Sequence, residues 1–309
     1  MFPLRLTIGA SILLMSAVTQ AQVSLQPTLP QNTTQQFSVN KHLQQTLTIN
    51  GNDITSEVDD HALLKAKYGQ RRDGLLSVEY RFAAWQADVD VNGDKVSFDA
   101  ANPEADQNDS PLAVVLDGYR EVAKRPFTLI VDDNGLVTDL RGWDDILDAF
   151  DDKSRALHKA MFDAKYLREN WTAELQRLPQ EAVSPGETWT RSVEHRFHGG
   201  QSMTFTTQYK YVGPVEKEGV AYEKIEMTTT DVSYNAQADD ASPLVVSDSD
   251  LEVVASKGEL LFDPQRKQVA SLTDTTHIQG DLTFKVTAND KELPGKLDLT
   301  IKTEQILLP

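Results

Sequence analysis

The sequence of 309 residues contains no cysteine. This absence excludes disulfide bonds, thiol nucleophiles, iron–sulfur clusters and cysteine-based zinc sites. It also excludes a lipid-attachment cysteine, so we do not expect a conventional bacterial lipoprotein. The architecture must therefore rest on packing and hydrogen bonding alone.

The common catalytic motifs are missing as well. The sequence has no Gly-x-Ser-x-Gly elbow, glycine-rich phosphate loop, dinucleotide fingerprint or His-Glu-x-x-His zinc motif. Among six histidines only His195 and His198 are close, and on a strand they would point to opposite faces. We therefore expect a protein that is not an enzyme and holds no cofactor, with a paired-carboxylate hydrolase as an alternative.

Positive charge is scarce. Lysine and arginine number 30 against 47 aspartate and glutamate residues, which gives a net charge of −17. Nucleic acids and anionic membrane surfaces select basic faces, so the balance argues against both as partners.

Long apolar runs are also scarce, and the longest lies at the N-terminus. Arg5 precedes an apolar stretch at residues 6–18, which is followed by small residues up to Ala21. This pattern predicts a signal peptide at residues 1–21, cleaved after Ala21. The run falls short of the ~20 apolar residues that a spanning helix needs. We expect an exported, periplasmic or secreted protein whose mature chain does not span the membrane.

What the sequence does contain is short alternating strands and tight turns. Leu43–Ile49 alternates at period two and stops at Asn50-Gly51, and Asn92-Gly93 separates two further alternating segments. Residues 22–38 are rich in Gln, Thr and Pro and are predicted to form a flexible leader. The pattern is typical of a mainly β, β-rich α+β protein.

One stretch, residues 143–177, has helical periodicity. Apolar residues recur at helical spacing from Trp143 to Trp171, which predicts two or three short helices that cover core. We therefore expect an N-terminal β half at residues 39–142, a helical connector and a C-terminal β half at residues 178–309. The predicted fold is two curved antiparallel β-sheet halves joined by a short helical segment.

The sharpest local motif has the spacing of a calcium-binding loop. Asp88, Asp90, Asn92 and Asp99 occupy positions that carry oxygen ligands in a twelve-residue EF-hand loop, and Gly93 follows Asn92. The flanking segments are strands and not helices, so a metal-free β-hairpin explains the same residues. Calcium at these four residues and a plain hairpin are the two interpretations.

Several segments together resemble a known family. They are Asp88–Asp99, Pro126-Phe127-Thr128, Asn134-Gly135-Leu136-Val137 with Gly142, and the turn Leu178-Pro179…Val183-x-Pro185-Gly186-Glu187-x-Trp189. In this order they are similar to an uncharacterised bacterial family of exported, two-halved β-rich proteins. The resemblance implies the architecture and implies no activity or catalytic residue.

These observations favour a non-catalytic envelope protein. We expect its curved sheets to hold an apolar ligand, a lipid or a peptide, in a groove. The alternative is a structural or protein-interaction module of the cell envelope that contacts an envelope protein. A calcium-binding module or a hydrolase is the remaining alternative.

Overall fold

The structure is a computed structural model that describes residues 22–102, 110–158, 161–196, 202–235 and 244–309. The predicted signal peptide, residues 1–21, lies outside the described residues. No helix in the described part of the chain is both long and apolar enough to cross a membrane.

Twelve strands and a few short helices make up the described part of the chain. The strands are β1 (Thr33–Ile49), β2 (Asn52–Tyr68), β3 (Leu76–Val91), β4 (Asp94–Asp99), β5 (Phe127–Val131), β6 (Val137–Arg141), β7 (Thr188–Arg196), β8 (Ser202–Lys217), β9 (Val220–Asn235), β10 (Leu244–Asp263), β11 (Gln268–Val286) and β12 (Glu292–Leu307). The helices are a 3₁₀ helix (Pro111–Leu116), α1 (Asp117–Lys124), α2 (Trp143–Leu147), α3 (Asp152–His158) and α4 (Ala164–Leu175). With 63% strand and 13% helix, the predicted mainly β class is confirmed.

All twelve strands belong to one antiparallel sheet that is not closed. Its order is β6-β5-β3-β2-β1-β12-β11-β10-β9-β8-β7, with β4 paired to the far end of β3. The two predicted halves, β1–β6 and β7–β12, are continuous because β1 pairs with β12 along the register from Phe37↔Leu307 to Ile49↔Gly295. The connector helices join β6 to β7, which are the two edges of the sheet.

The predicted β-hairpins form at the two Asn-Gly turn dipeptides. Asn92 and Gly93 have φ of 54° and 88°, and they join β3 to β4 in the register Val91↔Asp94. Asn50 and Gly51 do the same between β1 and β2 with φ of 49° and 82°. Positive φ at both central residues matches the right-handed twist of the flanking strands.

Helix α4 contacts both edges of the sheet. On the β6 side, the Val137 amide donates to Thr172 Oγ1 at 3.0 Å. On the β7 side, Tyr166 Oη accepts from the Arg196 amide at 2.9 Å and donates to the Glu194 carbonyl at 3.2 Å. These side chains satisfy backbone groups that an edge strand otherwise leaves to solvent or to another chain.

These contacts require strong curvature. Ten strand spacings separate β6 from β7 in the sheet order, which is roughly 48 Å in a flat sheet at ~4.8 Å per strand. Tyr166 and Thr172 are six residues apart, or about 9 Å along a helix axis. The sheet therefore curves until both edges flank α4, and we call the face that carries α4 the inner face.

The aromatic stripe of the connector packs on this inner face. Trp171 lies 4.7 Å from the Tyr80 ring and 6.3 Å from the Phe127 ring, centroid to centroid. Trp143 is buried, packs edge-on against Phe127 and donates its Nε1–H to the Phe162 carbonyl at 2.8 Å. The expectation that the helical segment covers core is confirmed.

The start of the described chain differs from the predicted flexible leader at residues 22–38. Strand β1 already begins at Thr33, and Leu25 is fully buried among residues of the C-terminal half. Val23 pairs with Val183, and the Thr28 amide donates to the Lys267 carbonyl at 2.8 Å. Leu25 together with the partly buried Val23, Leu29 and Phe37, and a few backbone hydrogen bonds, order a segment whose composition alone indicates little to bury.

Candidate functional site

The centre of the inner face carries charged side chains between apolar clusters. Strand register places those on strands there, because alternate residues of a strand share one face and paired residues point the same way. The others lie on or just after α4. We call this set the central polar group: Lys41 on β1, Asp60 on β2, Glu174 on α4, Arg177 just after α4, His195 on β7 and Asp274 on β11.

Lys41 and Asp60 are direct cross-strand partners, yet they do not form a close ion pair. Asp60 is half-buried and accepts a hydrogen bond from Trp85 Nε1 at 2.6 Å. Burial raises the pKa of Asp60, while the Trp85 hydrogen bond and the Lys41 charge lower it to a smaller degree. The carboxylate is therefore turned toward the indole, and the Lys41 ammonium is left exposed.

His195 faces Lys41 across the inner face. Burial lowers the pKa of His195 most, the Lys41 charge lowers it further, and Glu174 raises it. β7 and β1 are six strand spacings apart, roughly 29 Å along a flat sheet. A charge at that separation would shift the pKa of His195 only weakly, so the effect of Lys41 on it follows from the curvature.

The His195 side chain is accessible to solvent and is also surrounded by protein. Its side chain keeps accessible surface, although burial is the first cause of its lowered pKa. Both hold if the imidazole lies in a concavity that is surrounded by protein and open to water. Lys41 and Glu174 are exposed in the same region, so the centre of the inner face is accessible.

Arg177 lies on the other side of the group, between two carboxylates. Its side chain is 16% exposed and forms an ion pair with Glu174. Burial opposes the charge of Arg177, but Glu174, Tyr209 and Asp274 outweigh it and raise the pKa of Arg177. This cation is therefore neutralised from within the protein.

Asp274 has a buried carboxylate oxygen that finds no hydrogen-bond partner among the described residues. Its Oδ2 accepts from Thr276 Oγ1 at 3.1 Å, while Oδ1 is buried and unpaired. Burial raises the pKa of Asp274, and Thr276 and Arg177 lower it less. Gly258, its partner on β10, leaves the necessary room, because a Cβ there would lie 2.7 Å from Asp274 Oδ1.

A line of hydroxyl groups continues from Asp274 across four strands. Thr276 Oγ1 lies 3.3 Å from Thr229 Oγ1 and 3.4 Å from Ser256 Oγ, and Thr229 Oγ1 lies 3.3 Å from Thr207 Oγ1. This polar line crosses the inner face between two apolar clusters of the C-terminal half. One cluster contains Leu25 and Phe262. The buried members of the other are Met203, Val232, Val246, Ile278, Leu282, Phe284, Leu297 and Leu299.

Partly buried apolar side chains surround the central polar group. On the N-terminal side Phe82 stacks on Trp85 with centroids 4.1 Å apart, and Leu64 lies on the paired strand. On the C-terminal side Phe205 packs edge-on against His195 at 5.2 Å. A concave surface with a few polar groups among aromatic walls is the usual form of a small-molecule site.

A separate depression of about 590 Å³ lies on the outer face. It is lined by polar and charged residues that include Asp250, Glu252, Asp281 and Asp298. Such an open acidic surface does not bury an apolar ligand, so we favour the inner face as the functional site.

The four residues of the predicted calcium loop lie in the β3–β4 hairpin. Asp90 Oδ1 accepts from the Gly93 amide at 2.7 Å, and Asp88 Oδ1 accepts from Ser97 Oγ at 2.5 Å. Asn92 Oδ1 accepts from the Thr55 amide, and Asp99 accepts from the Ala101 amide, each at 2.8 Å. Each of these side chains accepts a separate hydrogen bond. The carboxylate oxygens of Asp88, Asp90 and Asp99 do not all lie within 4.8 Å of one another. Calcium binding stays a prediction.

Within the described residues one histidine–carboxylate group has ligand atoms within 4.8 Å of one another. It consists of His42, Glu57 and Asp59 on the outer face, where His42 Nδ1 lies 2.8 Å from Asp59 Oδ1 and 4.0 Å from Glu57 Oε1. The short contact is a cross-strand hydrogen bond. His198, the sequence neighbour considered for pairing with His195, lies outside the described residues.

The central polar group was not predicted from the sequence. One signal was present, since Lys41 interrupts the apolar alternation of β1 between Val39 and Leu43, and Asp60 does so in β2. A charged residue at an inward-pointing position of a predicted strand means either that the predicted strand register is wrong by one residue or that the interior is polar there. The partner residues come from distant strands, so spacing along the chain does not reveal them.

A family comparison covers the middle of the chain. Residues 73–220 match a family of unknown function, DUF6263. The DUF6263 stretch runs from the turn before β3 to the start of β9, so it includes α4 and both sheet edges. It contains Glu174, Arg177 and His195, and it excludes Lys41 and Asp274. The resemblance to an uncharacterised family is confirmed for this stretch, and bacterial origin and export stay predictions.

No curated protein matches the chain. Among solved structures, the outer membrane protein OprG from Pseudomonas aeruginosa is 7% identical, with 89% of this chain and 96% of that chain covered and a TM-score of 0.20. DynF from the dynemicin biosynthesis pathway of Micromonospora chersina is 8% identical, with 94% and 88% covered and a TM-score of 0.22. Likenesses this low carry no argument about fold or function.

Proposed function

We propose that this protein is an exported, non-catalytic binding protein that holds a small apolar or amphipathic molecule on its inner face. The observation that carries the proposal is the accessible centre of that face. Lys41, Glu174 and His195 keep exposed surface there, although the sheet curves around them and α4 covers its edges.

The apolar walls supply the binding energy. Phe82, Trp85 and Phe205 are only partly buried, so they have surface left to give to a ligand. Burial of apolar surface contributes about 25 cal/mol per Å². The predicted signal peptide at residues 1–21 supports export, and the absence of catalytic motifs from the sequence supports binding without turnover.

A neutral fluorescent probe tests the proposal. Phenylnaphthylamine fluoresces strongly only in apolar surroundings, so we expect a saturable increase with the purified mature protein. Phe82→Ala with Phe205→Ala removes both walls and should weaken this binding by tenfold or more, since each truncation removes roughly 1–2 kcal/mol of contact.

Leu136→Ala is the matched control, because Leu136 is 46% exposed on the β5–β6 turn, away from the inner face. It should leave probe binding unchanged. A wild-type protein that gives no saturable signal, and that comes from its own host without a bound small molecule in native mass spectrometry, would overturn the proposal. A co-purifying peptide or protein would instead favour an interaction module.

A further inference from the structure

Lys41 is a cation on the inner face that forms no ion pair within the described residues. Its ammonium has no carboxylate oxygen within 4.0 Å in the described part of the chain. Arg177 differs, because Glu174 pairs with it and Asp274 lies close enough to raise its pKa. Lys41 and Arg177 are therefore not equivalent, and Lys41 is the one of the two that is open to an external anion.

The neighbouring carboxylate, Asp60, does not form an ion pair with the Lys41 ammonium. Asp60 is the cross-strand partner of Lys41, at a distance where antiparallel pairs normally interact. Its Oδ1 instead accepts from Trp85 Nε1 at 2.6 Å, and neither Asp60 oxygen lies within 4.0 Å of the Lys41 ammonium. An ammonium left exposed beside a carboxylate that is bound elsewhere is suited to accept an acid group from a ligand.

Apolar side chains surround the ammonium on its own and adjacent strands. Val39 and Leu43 flank it on β1, Ala62 lies on β2 beyond Asp60, and Ile301 lies on β12 beside Thr303, the other cross-strand partner of Lys41. All of these residues keep some exposed surface. A charged head at Lys41 would therefore have apolar contacts on both sides for the rest of the molecule.

We infer that the ligand is an amphipathic anion whose acid group, a carboxylate, sulfonate or phosphate monoester, pairs with Lys41 while its apolar body contacts the surrounding walls. This inference rests on the proposed function and names the ligand class for the same site. His195 lies on the opposite wall and offers ring nitrogens to the same head group.

Two probes with one aromatic body separate the charge from the apolar contacts. Anilinonaphthalene sulfonate carries an anionic group on the phenylnaphthylamine body, and phenylnaphthylamine does not. In the mature protein, Lys41→Met should weaken binding of the sulfonate by roughly tenfold or more, because a hydrogen-bonded charge pair is lost. Binding of the neutral probe should change by less than about threefold, since Met keeps the apolar stem.

Two further variants complete the design. Lys302→Met is the matched control, because Lys302 is exposed on β12 and points to the outer face. It should affect neither probe. Lys41→Arg keeps the positive charge and should retain most of the sulfonate affinity. Thermal unfolding of each variant checks that the exposed position tolerates the change.

The outcomes distinguish this inference from the proposed function. If the neutral probe binds the wild type and Lys41→Met weakens both probes equally, or neither, the proposed function stands and the acid-group inference falls. An equal loss of sulfonate binding in Lys302→Met would also overturn it, because a general charge effect would then be responsible. If neither probe binds the wild type, the proposed function itself fails.

Discussion

On the outer face of the sheet, charged side chains pair with neighbours on adjacent strands, whereas on the inner face charged groups from distant strands also come together. His42 and Asp59 are register partners on β1 and β2, and His277 contacts Asp298 between β11 and β12 at 3.0 Å. By contrast, Lys41 influences His195 from six strands away.

This difference separates two kinds of structural requirement. An outer-face pair needs only the correct strand register, and exposed pairs contribute about 0–1 kcal/mol each. The central polar group needs the curvature of the whole sheet and the helix that holds its edges. Changes that disturb the curvature should therefore affect the inner face and leave the outer-face pairs in place.

Removal of Trp171 should have the largest effect on stability. Its ring packs on Tyr80 and Phe127 and holds α4 to the inner face. Trp171→Ala should lower the free energy of unfolding by about 3 kcal/mol, near the lower end for Trp→Ala because the ring is partly exposed. Urea unfolding measures this loss. Leu136→Ala, at an exposed apolar position, should change stability by less than about 0.5 kcal/mol, and equal losses would contradict the role given to α4.

A methyl group at Gly258 should disturb the inner face from the strand side. The added Cβ of Gly258→Ala would lie 2.7 Å from Asp274 Oδ1 and 2.9 Å from Met227 Cβ. We expect a loss of roughly 1–3 kcal/mol in urea unfolding, as for other overpacked positions. Combining it with Asp274→Ala should recover part of the loss, because one of the two clashes is removed. Strictly additive losses would show that the carboxylate does not occupy this space.

The hydroxyl group of Tyr166 tests the attachment of α4 to the β7 edge. Tyr166→Phe removes two hydrogen bonds to the backbone of Glu194 and Arg196 and should cost about 1–2 kcal/mol. Hydrogen exchange of the Arg196 amide should accelerate with it. Thr172→Val removes the corresponding bond at the β6 edge and should accelerate the Val137 amide instead. Acceleration of both amides in both variants would mean that the edges are not held separately.

The smallest predicted effect is the pH dependence contributed by His195. Burial lowers the pKa of His195 below its ordinary value of 6.5, so the folded state favours the neutral ring. The unfolded state therefore binds the proton first, and wild-type stability should fall as the pH drops below about 6.5. His195→Gln lacks this loss, while Asp60 and Asp274 titrate in both proteins and cancel. Parallel stability curves between pH 7.5 and 5 would contradict the enclosed position of His195.

Local elements of the fold could be predicted from the sequence. Asn92-Gly93 and Asn50-Gly51 indicated hairpins because these dipeptides adopt positive φ readily, and both hairpins form. The stripe from Trp143 to Trp171 indicated helices that cover core, and it does cover core. In each case the deciding interactions lie within a few residues along the chain.

The remaining features depend on pairing between distant residues. Nothing local to β1 indicates that it pairs with β12, or that two predicted halves become one sheet. Leu25 is one of a few apolar residues in a mostly polar leader, and only the tertiary fold shows that it is fully buried. The central polar group was missed for the same reason, since its members span residues 41–274 and come together through curvature.

The position of Lys41 opposite His195 is the central claim, and the lack of cysteine makes it directly measurable. Lys41→Cys with His195→Cys should be joined efficiently within one chain by a short bifunctional thiol reagent. His42→Cys with Glu194→Cys places cysteines on the same two strands but on the outer face, and this pair should not be joined. Cross-linking of the outer pair at a similar yield, or none in the inner pair, would contradict the curved sheet and the site within it.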